Sequence, residues 1–339
     1  MRLTLNEVKK RIDKMIPKGL DYDIDVEAGS IAIITHTPQE FGKGGGESLT
    51  VKIAKSIKRR VVIRPHMDLL LSEDKVEQKI METIPNEAMV RNIFIDPALS
   101  EVTIECDDPS TAVGHKGTII QSLRDEIGWL VNVTRAPAFE SRTQHDIRRY
   151  RREMADDRRG LLRKFGTRIY RPKRPGQPWA RITALGSYRE VGRAMHLVTT
   201  NESKVLVDVG AKPTVNKNEI QPFFNAPELL PLDNIDAVVL THAHVDHIAM
   251  LPVLFRYGYR GPVYCTPPTR DLMTLLQIDY IKVAQAEGTD PPYSKADIQE
   301  CIKHVVDIGY GEKTDIAPDI KISMENAGHI LGSSSVYMQ

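Results

Sequence analysis

The sequence has few cysteines, almost no net charge and no long apolar run. Its three cysteines, Cys106, Cys265 and Cys301, lie far apart among 339 residues. Their low, odd number excludes a disulfide framework and cysteine-based zinc fingers, and fits a reducing cytoplasm. A net charge of +1 argues neither for nor against a nucleic-acid partner. No run of about 18 apolar residues could span a membrane. The charged, amphipathic stretch 1–16 is unlike a signal peptide, so we expect a cytoplasmic protein without a membrane partner.

The remaining composition, 41% hydrophobic and 27% charged, predicts a folded protein of two or three domains. Residues 1–68 show the order helix, two strands, glycine-rich loop, helix and strand, and residues 69–139 repeat it. The loop of the first copy, Gly42–Gly46, lacks the spacing of a nucleotide phosphate loop, and we expect it to be flexible. The second copy has Gly114-His115-Lys116-Gly117 between two helices.

Two glycines allow close approach to a nucleic-acid backbone, and a lysine between them can meet phosphate. In this order of helices and strands, Gly114-His115-Lys116-Gly117 resembles the motif of the K-homology (KH) domain. The resemblance implies single-stranded RNA binding at these four residues, and the alternative is a plain helix–helix turn. For the first copy we expect a KH-like fold that binds RNA weakly or not at all.

Residues 140–178 are rich in arginine, and prolines make the end of the segment a linker. A solvated helix face is the usual explanation for such a charge run. Arginine suits bidentate phosphate contacts, and the segment could follow a nucleic-acid backbone. RNA contact is therefore an equal alternative, for which the candidate residues are Arg148, Arg149, Arg151 and Arg152.

The strongest signal is Thr241-His242-Ala243-His244-Val245-Asp246-His247, which follows the apolar, β-branched run 235–240. Three imidazoles and a carboxylate on a short loop after a buried strand can converge on one ion, and zinc prefers these ligands. Two further candidates also lie at strand ends. Asp208 is near the end of the predicted strand 204–210, and His329 lies in a glycine-bounded loop after the strand 320–324.

Together these residues resemble the site of the metallo-β-lactamase fold. The stretches 186–192 and 327–333 narrow the resemblance to the RNA-cleaving β-CASP group. With KH domains in front, the chain resembles archaeal members of the cleavage and polyadenylation factor nuclease family, which act in transcription termination. The fold class is thus α+β and α/β. The expected domains are two KH-like domains (1–68 and 69–139), the arginine-rich segment (140–178) and a partial αββα sandwich (179–339).

The resemblance implies two zinc ions per complete site and an endoribonuclease acting on single-stranded RNA 3′ ends. His242, His244 and His329 would hold the first ion, and Asp246 and His247 the second. Asp208 would orient a ligand histidine, and Asp208 and Asp246 are the catalytic candidates. The resemblance also implies the transcription elongation complex as a partner and a homodimer of the full-length protein.

The sequence departs from the family pattern because a later bridging aspartate and the β-CASP region have no counterpart. We therefore interpret the chain as an N-terminal part of a longer protein. This leaves two alternatives, an RNA-binding fragment without activity and a generic hydrolase of a small substrate. The remaining histidines have no partner spacing and receive no predicted role: His36, His66, His145, His196 and His304.

Overall fold

The structure is a computed structural model that describes residues 4–42, 47–172, 176–212 and 221–339. Most of the predicted glycine loop, residues 43–46, lies outside the described residues. The chain divides into two compact units, one formed by residues 1–26 with 30–160 and the other by 27–29 with 161–339. This boundary falls inside the arginine-rich segment predicted over 140–178, which the two units share.

The first half of the first unit contains α1(Leu5–Asp13), β1(Asp23–Glu27), β2(Ser30–Thr35), α2(Pro38–Gly42), α3(Leu49–Ile57) and β3(Arg60–Pro65). Thr4 and Glu7 form a capping box that starts α1. Ser48 caps α3, which ends at Lys58 in a left-handed conformation. The strand order is β1-β2-β3, and β2 and β3 are parallel with Thr35 opposite Pro65. The predicted helix–strand–strand–helix–strand order is confirmed.

The second half of this unit repeats the architecture with α4(Glu73–Thr83), β4(Val90–Asp96), β5(Glu101–Cys106), α5(Pro109–Val113), α6(Thr118–Ile127) and β6(Leu130–Arg135). Strands β4 and β5 are antiparallel, and β5 and β6 are parallel. One face of α4 and α6 joins the sheet in a core through Val76, Ile80, Leu123 and Ile127. The duplication predicted at a period of about seventy residues is therefore present in the fold. Helices α7(Arg142–Glu153) and α8(Ala155–Ile169) follow.

The second unit contains two sheets. The six-stranded sheet has the order β12-β11-β10-β9-β8-β7 and the three-stranded sheet the order β13-β14-β15. Their strands are β7(Ala180–Ala184), β8(His196–Thr200), β9(Lys204–Val207), β10(Ala237–Val239), β11(Val263–Cys265), β12(Val305–Asp307), β13(Thr314–Ala317), β14(Ile320–Asn326) and β15(Ser334–Met338). Strands β9 to β12 are parallel, whereas β7, β8 and β9 are antiparallel.

Side chains from both sheets of this unit share one core, as in a two-layer sheet sandwich. The six-stranded sheet contributes Val205, Ala237, Val239 and Tyr264, and the three-stranded sheet contributes Ile316, Ile322 and Met324. Helices α9(Val245–Ile248), α10(Leu251–Arg256), α11(Pro267–Ala286) and α12(Lys295–His304) lie between the later strands in the chain.

The stretch 245–256 after the first histidines forms two short helices, α9 and α10, and not one continuous helix. Pro252 stands in the first turn of α10, where its missing N–H costs nothing and a new helix can begin. In the part of the chain that the structure describes, no helix is long and apolar enough to cross a membrane.

Candidate metal centre

The parallel pairing of β9 and β10 brings Asp208 beside the histidine-rich loop. Val207 lies opposite Val239 in the register, so the residues after both strands emerge at the same sheet edge. The Asp208 N–H donates to Val239 O at 2.9 Å. The candidate residues that follow these two strands therefore meet because of strand register.

Three imidazoles converge at this edge. His244 Nδ1 lies 3.1 Å from both His242 Nε2 and His329 Nε2. Ligand nitrogens around one tetrahedral zinc ion, at Zn–N distances of about 2.0–2.1 Å, are about 3.3 Å apart. One ring nitrogen from each residue lies within 4.8 Å of the others. The donor set and its spacing fit a divalent ion such as zinc.

Asp246 and His247 lie next to these three histidines. The His247 and His242 ring centroids are 4.0 Å apart, and His247 Nε2 is 3.6 Å from Asp246 Oδ2. His247 Nδ1 lies 2.8 Å from Asp208 Oδ2. That contact turns the other ring nitrogen of His247 toward Asp246. It is the geometry expected if Asp208 orients a ligand histidine.

Asp208 is the organising acid of the centre. It is 3% exposed, and it accepts the Thr241 N–H at Oδ1 and the Thr241 hydroxyl at Oδ2, both at 2.8 Å. Its φ of +59° is a left-handed conformation that aspartate tolerates better than most residues. The buried carboxylate is thus held by a backbone donor and two side-chain donors.

Thr241 links Asp208 to His242 and was not predicted as a site residue. Its hydroxyl lies 2.9 Å from His242 Nδ1. Because that hydroxyl donates to Asp208, its oxygen accepts the Nδ1 proton of His242. The Nε2 lone pair of His242 then faces His244, as a metal ligand requires. The only sequence signal was its place directly before the histidine motif.

A glycine permits the backbone packing beneath the loop. An added Cβ at Gly210 would stand 1.6 Å from Asp246 O. Because this oxygen belongs to the backbone, no side-chain rotation could relieve the clash. Val209 N–H donates to His247 O at 2.7 Å, and Ala194 N–H to Asp246 O at 2.8 Å. The backbone of Asp246 and His247 is therefore fixed by neighbouring strand ends.

The His329 loop is tied to the same edge. Ser333 Oγ accepts the His329 N–H at 3.1 Å, and Ser334 N–H donates to Thr241 O at 2.8 Å. Gly332, at φ +82°, presents its carbonyl to the hydroxyl of Thr266 at 2.7 Å. These tethers bring the third imidazole to the first two across a long sequence separation. Thr266 carried no sequence signal.

His242 and His247, neighbours in the centre, differ in electrostatics. Burial, with a smaller effect of neighbouring His247, lowers the pKa of His242 to about 4. For His247, burial acts to lower the pKa, but the hydrogen bond and charge of Asp208 outweigh it and raise the pKa. At neutral pH His242 is therefore uncharged, with a lone pair free to bind a cation.

The predicted RNA loop lies in the first unit and is open. Gly114, Lys116 and Gly117 have φ of +76°, +51° and +80°, so the turn between α5 and α6 is left-handed. His115 and Lys116 are exposed. A Cβ at Gly114 would stand 2.6 Å from the side chain of Ile119, which explains the first glycine structurally.

Two of the predicted RNA-contacting arginines are engaged inside the first unit. Arg148 lies 3.7 Å from the Phe94 ring centroid and 2.9 Å from Glu105 Oε1. Arg151 is 7% exposed and 3.6 Å from Asp96 Oδ2. Both guanidinium groups pack α7 against the sheet, an arrangement that neither of the two alternatives, a solvated helix face or RNA contact, described.

The other two arginines also have acidic partners. Arg152 Nε lies 2.6 Å from Glu73 Oε2. Arg149 is largely exposed and lies 2.8 Å from Asp146 Oδ1 and 3.9 Å from Glu153 Oε1, both on α7. Of the four candidates, Arg149 presents the most open guanidinium group to solvent.

Each of the two units contains a stretch that matches a known protein family. Residues 197–338 match the family model of the metallo-beta-lactamase superfamily domain, and residues 2–70 match that of the transcription termination factor FttA KH domain. The chain carries an N-terminal KH domain and a metallo-beta-lactamase-fold domain, which confirms the predicted fold class.

Curated relatives carry a more particular name. The chain is 40% identical over 331 residues to transcription termination factor FttA of Methanosarcina mazei, covering 97% of this chain and 52% of that protein. It is 42% identical over 341 residues to transcription termination factor FttA of Thermococcus kodakarensis, covering 98% and 52%. The similarity to archaeal termination factors that the motifs indicated is confirmed. The chain spans about half the length of these relatives.

Among solved structures, a metallo-beta-lactamase from Cronobacter sakazakii matches with a TM-score of 0.32 and 17% identity. The match covers 48% of this chain and 60% of that one.

Proposed function

We propose that this chain is the RNA-binding and metal-binding part of a transcription termination factor that cleaves single-stranded RNA near its 3′ end. The observation that carries the proposal is the convergence of His242, His244 and His329 in a chain that also has a KH domain. Imidazole and carboxylate donors favour zinc, two ions per complete site. The transcription elongation complex as a partner, a homodimer of the full-length protein and a cytoplasmic location belong to the same proposal.

In this proposal each residue has a separate role. His242, His244 and His329 offer ring nitrogens to one ion, and Asp208 holds His247 so that its Nε2 faces the second position. The Asp246 side chain is 35% exposed, so one carboxylate oxygen can bind a cation while the other accepts a proton from the attacking water. A divalent ion bound here would acidify water and neutralise charge on the phosphodiester.

The KH region would deliver the substrate. The Gly114–Gly117 turn offers exposed Lys116 to a phosphate, and its glycine at Gly117 has nothing within 4 Å of an added Cβ. Such an open turn lets an RNA backbone approach closely. Of the arginines, we retain Arg149 as an RNA contact, whereas Arg148, Arg151 and Arg152 are better explained by ion pairs within the unit.

A second candidate function is RNA binding without cleavage by this chain alone. Among the described residues, the convergent ligand group of this centre contains three imidazoles, and Asp246 and His247 lie outside it. One ion could bind while the second position remains weak.

The test compares the full-length protein with the 339-residue chain. We expect His244→Ala to abolish RNA cleavage by the full-length protein while RNA retention in a filter assay changes little. Lys116→Ala should weaken RNA binding and reduce the slope of log affinity against log salt by about 1. The matched control for the first variant is His145→Ala, which alters a histidine of the first unit.

Cleavage by His244→Ala at the control rate would contradict the metal centre. An unchanged salt slope for Lys116→Ala would contradict the RNA loop. If the 339-residue chain retains RNA but does not cleave it, the second candidate describes this chain.

A further inference from the structure

A second group of metal-type ligands lies in the first unit, among residues that the sequence pattern left without a role. His36 follows β2 and His66 follows β3. Since Thr35 is opposite Pro65 in the parallel register, the two histidines stand side by side. The His66 N–H donates to Thr35 O at 2.9 Å. Their rings stack with centroids 4.1 Å apart and planes at 25°.

Two carboxylates flank this histidine pair. Asp21 Oδ2 lies 2.7 Å from His36 Nδ1, and Asp68 Oδ2 lies 3.2 Å from His66 Nδ1. Asp21 is positioned in turn, because the Thr35 hydroxyl donates to its carbonyl oxygen at 2.7 Å. One ligand atom from each of His36, His66 and Asp68 lies within 4.8 Å of the others.

Surface ion pairing is the ordinary explanation for such a group. The group has, in addition, the composition of a metal site, because imidazole and carboxylate are ligands of zinc-class ions and the three ligand atoms lie close together. One divalent cation would take a lone pair from each ring and one carboxylate oxygen. The His36 contact with Asp21 also has the form of a carboxylate that orients a metal-bound histidine through its other nitrogen.

We propose that His36, His66 and Asp68, which we name the His36 cluster, bind one divalent transition-metal ion of the zinc class, with Asp21 orienting His36. The stacked rings must rotate modestly so that both lone pairs meet the ion. The terminal torsion of histidine is broad. The side chains of His36 and His66 are 41% and 37% exposed, which leaves room for that rotation. The ion is therefore solvent-accessible and exchangeable.

The position of the His36 cluster gives the ion a structural consequence. Asp68 belongs to the 3-10 turn Met67–Leu69, which leads from the first half of the unit into the second. An added Cβ at Gly128 would stand 2.2 Å from Leu69 O, so this turn packs against the end of α6. An ion joining the ends of β2 and β3 to the turn stabilises the connection between the halves.

The test uses the whole chain with the other centre removed by His242→Ala, His244→Ala and His329→Ala together. In that background we expect zinc titration to show about one bound equivalent and a rise in the melting temperature with added zinc. Adding His36→Gln and His66→Gln should abolish both effects. Asp21→Asn should weaken zinc binding about 10–100-fold. His145→Gln is the matched control.

Two results would overturn the proposal. One is the absence of zinc uptake in the triple-variant background. The other is equal zinc uptake by the His36→Gln/His66→Gln and His145→Gln variants. Asp68→Asn, a change at an exposed side chain, serves as the ligand test if the double variant does not fold. Undiminished zinc affinity in that variant would equally count against the site.

Discussion

The two histidine clusters are held in different ways. In the cluster of His242, His244 and His329, the polar support is internal, with Asp208 3% exposed and His242 9% exposed. In the His36 cluster both rings are more than a third exposed, and strand register with two flanking carboxylates sets their position. Burial of Asp208 and His242 makes that part of the first cluster rigid and intolerant of change, while His329 is exposed. Exposure of both rings makes the His36 cluster adjustable. Substitutions in the first cluster should therefore reduce stability or metal affinity more than comparable substitutions in the His36 cluster.

The largest expected effect is at Gly210, beneath the His242 loop. Gly210→Ala forces a Cβ into the Asp246 carbonyl, and we expect a loss of unfolding free energy of about 3 kcal/mol, the upper end of overpacking costs. Denaturant unfolding measures it. The matched control is Gly160→Ala in α8, where an added Cβ meets nothing within 4 Å. That change should stabilise by up to about 1 kcal/mol. Equal stabilities of the two variants would contradict the rigid scaffold.

A smaller effect is expected at Asp208. Asn keeps the shape and tolerates the left-handed backbone, but it removes the charge that holds His247. We expect Asp208→Asn to lower metal affinity about 10–100-fold, measured by competition titration in a chain carrying His36→Gln and His66→Gln. The comparable change at the His36 cluster is Asp21→Asn. If Asp208→Asn left metal affinity unchanged, the orienting role of Asp208 would have to be abandoned.

The smallest effect concerns pH and the loop 186–192 before the first centre. Hydrogen bonds from Arg193 and Lys212 lower the pKa of Glu190 from 4.5 to about 2. Because the folded pKa is depressed, the stabilisation is present above pH 4.5 and is lost as pH falls toward 2. Glu190→Gln should therefore flatten the stability-versus-pH curve in this window. Acid unfolding followed by circular dichroism measures it, and an unaltered slope in the variant would refute this contribution.

Local pattern was sufficient for much of the fold and for finding the candidate ligands that follow β10. The apolar run before Thr241 predicts a buried strand. The histidines directly after that strand must then lie at the edge of the sheet where the strand ends. The helix and strand order of both halves of the first unit could also be predicted, because each helix and strand has its own periodicity and caps. Their shared order is visible without knowing any contact between distant residues.

The contacts of the arginine-rich segment and the grouping of the His36 cluster could not be predicted from local sequence pattern. Arg148 and Arg151 look like solvent-facing or phosphate-facing charges in sequence, yet Glu105 and Asp96 on the neighbouring sheet pair with them. His36 and His66 are thirty positions apart with no spacing signal, and only the register of two parallel strands brings them together. Pairing register depends on tertiary packing, which no local window contains.

The sequence by itself determined the order of the helices and strands, and it placed His242, His244 and Asp246 within five residues directly after a buried strand. Tertiary structure decided which of these side chains meet: His329 with His244, Thr241 with Asp208, and His36 with His66. The physical reason is that secondary structure arises from near neighbours, whereas a ligand set needs strand ends and loops joined across the fold. Those contacts form because sheet register and buried hydrogen bonds allow only one arrangement of the strand ends and loops.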